Sequence, residues 1–239
     1  LDKLHCQISE RDSFYTLYLD LRSIVNGIGF NLEKGSYLRG KSLGGSFTLT
    51  YFPEDRMVLK NVNLSIAGKP FNINGDIFLK ADTMSYDLRI RTDQIYYADA
   101  YSLLTQSLVQ KVSPITIDQP IDITASSKGK MAHKVIPHIE TGFIVKGAAM
   151  DTPLGWLENA TFSGTFNNRI DTCGVPGDAN TKFTFNKLSA DWNKITLKSD
   201  LLEISNLQNP VLSCDLKSDF ALTNLNTLGE SATIQFIEG

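Results

Sequence analysis

The residues able to do chemistry are few and scattered. The histidines are His5, His133 and His138, and the last two flank Pro137 with Glu140 as the nearest carboxylate. Zinc needs three or four nitrogen, sulfur or carboxylate ligands held close together. Two histidines and one glutamate without further partners read instead as loop or surface groups. Asp171, Asp178 and Asn180 share a glycine-containing loop. They lack the alternating oxygen spacing of a calcium loop, so they read as turn chemistry. No G-x-S-x-G, H-E-x-x-H or phosphate-cradling glycine loop occurs. The expectation is a non-enzymatic protein with no metal and no cofactor.

Cysteine usage does not fix the compartment. The cysteines are Cys6, Cys173 and Cys214, an odd number at wide spacing and without a C-x-x-C pair. One bridge among them stays open. The simpler reading is three free thiols in core or loop positions. Asn63-Leu-Ser and Asn159-Ala-Thr fit the glycosylation sequon, but both fall inside expected strands.

Composition narrows the classes further. The chain has 239 residues, 42% hydrophobic and 21% charged, with a net charge of −3 and both signs interspersed. That supports a folded core and gives no basic patch for nucleic acid. No apolar run is long enough to span a bilayer, and no leader is recognisable. The chain begins without Met, at Leu1. It is read here as a piece of a longer protein.

The elements that must position any site are strands. From Leu59 to Arg91 apolar residues fall on alternate positions: Val62, Leu64 and Ile66, then Phe71, Ile73, Ile77 and Leu79, then Tyr86, Leu88 and Ile90. Turn chemistry at Gly68-Lys69-Pro70 and Ala81-Asp82-Thr83 separates the runs. A period of two puts one set of side chains on one face of a strand. The opposite face carries Asn63, Ser65, Asn72, Asn74, Asp76, Asp87, Arg89 and Arg91.

The same device recurs along the chain. Two strands are expected between Leu4 and Leu21, with a bulge near Tyr15, and another in the later part of Ser23 to Gly35. Phe47, Leu49 and Tyr51 alternate. Ile115, Ile117, Ile121, Ile123 and Ala125 alternate around a break at Pro120. Ile139, Phe143 and Val145 follow. Leu154, Trp156, Ala160, Phe162, Gly164 and Phe166 read as one long single-parity series. Phe183 and Phe185 slip in parity to Leu188, Ala190 and Trp192, and Asn193-Lys194 reads as a hairpin. Further strands are expected near Ile195, at Val211 to Leu222 and near Ile234, with a helical turn at Leu225 to Leu228.

Ile95 to Val112 is the one expected amphipathic helix. Tyr97, Tyr101, Leu104 and Leu108 make its apolar stripe, Asp99 and Lys111 suit its dipole, and Pro114 stops it. The fold class is therefore mostly β: a curled antiparallel meander, groove-like or sandwich-like, with one helix around 95–112. The chain is taken as one β-rich unit, 1–239, and a subdivision into 1–113 and 114–239 stays open.

The greasy faces are what a function must use. The candidate lining is Phe71, Ile73, Ile77, Leu88, Ile90, Ile121, Ile123, Phe143, Val145, Phe162, Phe166, Phe183 and Phe185. Alternation alone fits two outcomes, an ordinary sandwich core or a trough that receives lipid chains. A sandwich would make the protein an interaction or carbohydrate-binding module of a cell surface. Trp156 and Trp192 share parity with the apolar series, which argues against sugar stacking.

Three segments carry a family resemblance: Val58 to Ile77, Leu154 to Asn168, and Ile204 to Leu225. In the first, an alternating strand ending in Gly68 is followed by a second strand with Gly75 near its middle. The second and third repeat related strand-and-turn rhythms. This resembles the repeated element of AsmA-like proteins over most of Gly44 to Gly239, and less clearly over Leu1 to Leu43. The resemblance implies a large protein anchored in the inner membrane by an N-terminal helix and lying in the periplasm. It implies a role in outer-membrane biogenesis and phospholipid movement, and a long β-groove with an oily interior. It carries over no catalytic residue.

Overall fold

The computed structural model describes residues 1–27, 38–79, 84–104, 106–132, 135–153, 155–221 and 223. Strands dominate them: β1 (Lys3–Arg11), β2 (Phe14–Val25), β3 (Lys41–Phe52), β4 (Arg56–Ile66), β5 (Lys69–Phe78) and β6 (Ser85–Ile95), then two short helices, α1 (Tyr97–Tyr101) and α2 (Gln106–Val112). After these come β7 (Thr116–Ile117), β8 (Ile121–Lys130), β9 (His138–Thr152), β10 (Gly155–Asn167), β11 (Lys182–Trp192), β12 (Ile195–Ser205) and β13 (Val211–Asp219). All belong to one 13-stranded antiparallel sheet, laid out in chain order except that β8 follows β6 and β7 pairs with β9. It is not closed into a barrel. The β6–β8 pairing carries the sheet across position 113.

Local chemistry explains the hairpins. Ala67 and Gly68 both have positive φ, as do Asn193 and Lys194. Two successive left-handed residues make the tight turn whose twist matches a β-hairpin. The break at Pro120 separates β7 from β8, as the ring's missing N–H requires. The expected strand in the later part of 23–35, the turn at 81–83, and the elements at 225–228 and near 234 lie outside the described residues.

Five left-handed residues, together with a register shift between Ser199 and Leu202 of β12, keep the apolar face continuous. Asn61, Gln94, Gly147, Asn159 and Lys187 all have φ between 52° and 61°. Each sits at a register shift, in β4, β6, β9, β10 and β11 respectively. A bulge adds one unpaired residue, so parity changes while the face does not. In three of them a side chain of the next strand catches the bulge N–H. Asn61 donates to Asn74 Oδ1 at 2.8 Å, Gln94 to Asp122 Oδ1 at 3.1 Å, and Gly147 to Thr161 Oγ1 at 2.9 Å. The slip expected between Phe185 and Leu188 is the Lys187 bulge.

Two sequence readings change here. The register of β2 runs unbroken on both sides, so there is no bulge at Tyr15. Phe14 simply lies on the face opposite Leu17, Leu19 and Leu21. The single-parity series in β10 is interrupted at Asn159. Leu157, not Trp156, therefore joins Ala160 and Phe162 against the core. Trp156 stands on the polar face, 51% exposed.

Candidate functional site

Register places every candidate lining residue on one face. Val62, Ile73, Ile90, Ala125, Thr141, Phe166, Phe183, Ile204 and Leu212 follow one another in a single row from β4 to β13. The next row contains Thr92, Ile123, Phe143, Gly164, Phe185, Leu202 and Cys214. Ile77 and Leu88 lie in rows towards the opposite end, where Ile77 faces Met57 and Tyr86.

The face is divided into two zones. Phe71, Ile121, Val145 and Phe162 are buried in a core with Ile66, Ile95, Ala148, Met150, Ala160 and Ala190. Each large side chain sealed there contributes about 1.5–3 kcal/mol. Ile73, Ile77, Leu88, Ile90, Ile123, Phe143, Phe166, Phe183 and Phe185 are only half-buried. Among the described residues no second sheet lies across them. On the edge strands the same face is exposed, at Leu4 and Ile8 of β1 and Leu212 and Leu216 of β13.

Aromatic rings bridge the two zones. Phe143, Phe162 and Phe185 meet edge to face at 5.5 to 6.2 Å between centroids. Phe183 stacks on Phe185, and Phe166 lies 4.7 Å from Phe183. Such pairs add about 0.5–1.5 kcal/mol beyond area burial.

The helix pair closes the buried end. Tyr97, Ala100 and Leu103 pack on the core together with Ile115 and Ile117. The Tyr97 hydroxyl donates to the Val112 carbonyl at 3.0 Å, tying α1 to the end of α2. Burial, and secondarily Tyr101, pushes the Tyr97 phenol up to about 12. Lys69 pairs with Asp99 at 2.9 Å, and the Leu38 N–H donates to the Leu103 carbonyl at 3.2 Å. The expected 95–112 helix is thus two shorter pieces, and the stripe is redrawn. Leu104, placed in it by spacing, is exposed, because the helix ends at Tyr101 and Leu103 turns inward instead. The side chains of Leu108 and Lys111 lie outside the described residues.

The opposite face is polar, as the alternation of Asn63, Asn72, Asn74, Arg89 and Arg91 requires. It also carries a cleft of about 630 Å³ over β5, β6, β8, β9 and β10. Its walls include Arg89, Arg91, Glu140 and Asn167. Sequence reasoning missed it. Gly142 at its centre reads as any strand glycine, and Arg89 as an ordinary solvated charge.

Among the described residues the remaining candidates form no site. His138 Nε2 meets Asn167 Oδ1 at 3.2 Å and Glu140 Oε1 at 3.5 Å. His133 lies outside the described residues. In the loop after β10, the Asn180 amide donates to the carbonyls of Asp171 and Val175, and Asp171 accepts the Cys173 N–H. That loop satisfies itself. Among the described residues no cluster of His, Cys, Asp and Glu could hold a metal. All three cysteines are free and exposed, so Cys6 and Cys214 are edge-strand groups and not core fillers. Among the described residues no helix is long and apolar enough to cross a membrane.

A scan against protein-family models gives no match, and neither do searches of curated proteins and of solved structures.

Proposed function

We propose that this chain is a non-enzymatic periplasmic segment of an AsmA-like protein, whose apolar sheet face holds lipid chains in outer-membrane biogenesis or lipid transport. The rest of such a protein would supply the inner-membrane anchor. The observation that carries this reading is the half-buried zone of Ile73, Ile90, Phe166 and Phe183 with no second layer over it among the described residues. A sandwich would have sealed it. Burying a lipid chain there is worth about 0.8 kcal/mol per methylene, or roughly 10 kcal/mol for a full chain. The test is organic extraction of the purified protein followed by mass spectrometry. Co-purifying phospholipid that falls sharply in Phe183→Asp supports the proposal. Lipid-free protein that also fails to take up phospholipid from vesicles sinks it.

A second reading rests on Trp156. An exposed indole on a polar strand face is a platform for sugar rings, and the protein would then be a carbohydrate-binding module of a cell surface. Glycan binding that disappears in Trp156→Ala would favour it over the lipid reading.

A further inference from the structure

We infer that the polar face carries a separate binding site, the cleft over Gly142, which takes a sugar bearing a carboxylate or a phosphate, gripped by Arg89. At about 630 Å³ the cleft is of small-ligand size. It lies on the face opposite the lipid zone. It is also some nine residues along β10 from Trp156, roughly 30 Å at strand rise.

The hollow has a cause. Gly142 sits in the ladder between Thr124 and Thr165, on the polar face. A Cβ there would come 3.0 Å from Thr124 Oγ1. The absent side chain leaves the floor open between a wall on β6 and a wall on β9 and β10.

The charges on the walls stand apart. On β6, Asp87 pairs with Lys128 at 3.2 Å and Arg91 with Asp93 at 3.0 Å. Arg89, between them, has no ion pair or hydrogen bond among the described residues. Its cross-strand neighbours are the neutral Asn74 and Ser126. Glu140 is a further strand away, roughly 10 Å from β6, and accepts from the Asn167 amide at 2.9 Å. One guanidinium therefore faces the cleft without a carboxylate paired to it, and Glu140 stands on the far wall.

The neutral polar groups beside it are pre-oriented. The Asn74 amide donates to Asn72 Oδ1 at 2.6 Å, and the Asn72 amide donates to Asn63 Oδ1 at 2.9 Å. A guanidinium fork matches a carboxylate or phosphate with two parallel hydrogen bonds. Fixed amides and the Thr124 and Ser126 hydroxyls match the alternating donors and acceptors of a sugar ring. An oily chain would leave the Arg89 guanidinium without a partner.

The test is titration of the whole chain, followed by NMR, with glucuronate, glucose 6-phosphate, glucose and inorganic phosphate. The expected result is saturable binding of a charged sugar at about 1 mM, with glucose and phosphate each at least about tenfold weaker. Binding of glucuronate alone assigns a uronate site, and of glucose 6-phosphate alone a phosphosugar site. Arg89→Gln should weaken binding about tenfold or more without moving the thermal unfolding midpoint or lipid retention, and Gly142→Val should fill the cleft with the same effect. The inference is overturned if neither charged sugar saturates, if Arg89→Gln binds as well as the parent, or if inorganic phosphate alone binds as tightly as either sugar.

Discussion

The Phe143 ring occupies the space that a side chain at Gly164 would need. Two of its carbons stand 2.2 Å from where a Cβ would sit. The ring reaches Phe162 and Phe185 only because β10 is bare at that point. Gly164→Ala should therefore destabilise the protein by about 1–3 kcal/mol, the usual cost of overpacking. Urea unfolding measures it. In Phe143→Ala the same glycine substitution should cost much less, since the clash is gone.

The oxygens that catch the bulge N–H groups should each matter. Thr161→Val removes the acceptor for Gly147, and Asn74→Ala the one for Asn61. Losing such a partner costs about 0.5–1.5 kcal/mol when water can replace it, and more when it cannot. Hydrogen exchange should report the change first at Gly147 and Asn61.

Asp122 caps the third bulge and adds a sign with pH. The Gln94 N–H, then Lys146 at 3.2 Å, hold its carboxyl below the usual carboxylate range. A lowered pKa means that its contribution is full above the unfolded value near 3.8 and is lost as pH falls through the folded value. In Asp122→Asn the drop in stability at low pH should be shallower than in the parent, as read from urea midpoints below pH 4.

Tyr97 gives the opposite sign at high pH. Its phenol is raised from 10.0 to about 12. Its share of stability is present below pH 10 and is lost as pH rises towards 12. Burial raises the Tyr86 phenol as well, so ultraviolet titration should show late-ionising tyrosine absorbance, and Tyr97→Phe should remove the latest part of it. The same variant loses the tie to the Val112 carbonyl and should loosen α2 in hydrogen exchange.

The two tryptophans should separate by quenching. Trp156 is exposed, whereas Trp192 is half-buried on the apolar face of β11. Iodide should quench most of the Trp156 emission and little of that from Trp192. Trp156→Phe should leave a blue-shifted, poorly quenched spectrum with stability within about 0.5 kcal/mol of the parent.

Strand alternation was legible wherever apolar residues kept to one parity, as at Val62 to Ile66 and Phe71 to Ile77. The Lys187 slip was legible too, because Phe183 and Phe185 on one side and Leu188 and Ala190 on the other are both clean series. The Asn159 slip was not, because Trp156 and Leu157 are adjacent and apolar, so either could be counted inward. Only the register of β10 on β9 and β11 decides between them. The helix break after Tyr101 was hidden for a similar reason, with Leu103 and Leu104 side by side. The polar cleft depends on a missing side chain at Gly142 and on which cations already have partners, and those are properties of neighbouring strands rather than of any one stretch.

The bulges act like a reading frame for the two surfaces. Asn61, Gln94, Gly147, Asn159 and Lys187 each supply the odd residue that keeps oil on one side and water on the other. Deleting any one of them would turn half a strand inside out, sending its charges onto the apolar face and its leucines into solvent. Single-residue deletions at these positions should thus be far more damaging than substitutions there, whereas a deletion in a turn would only shorten it.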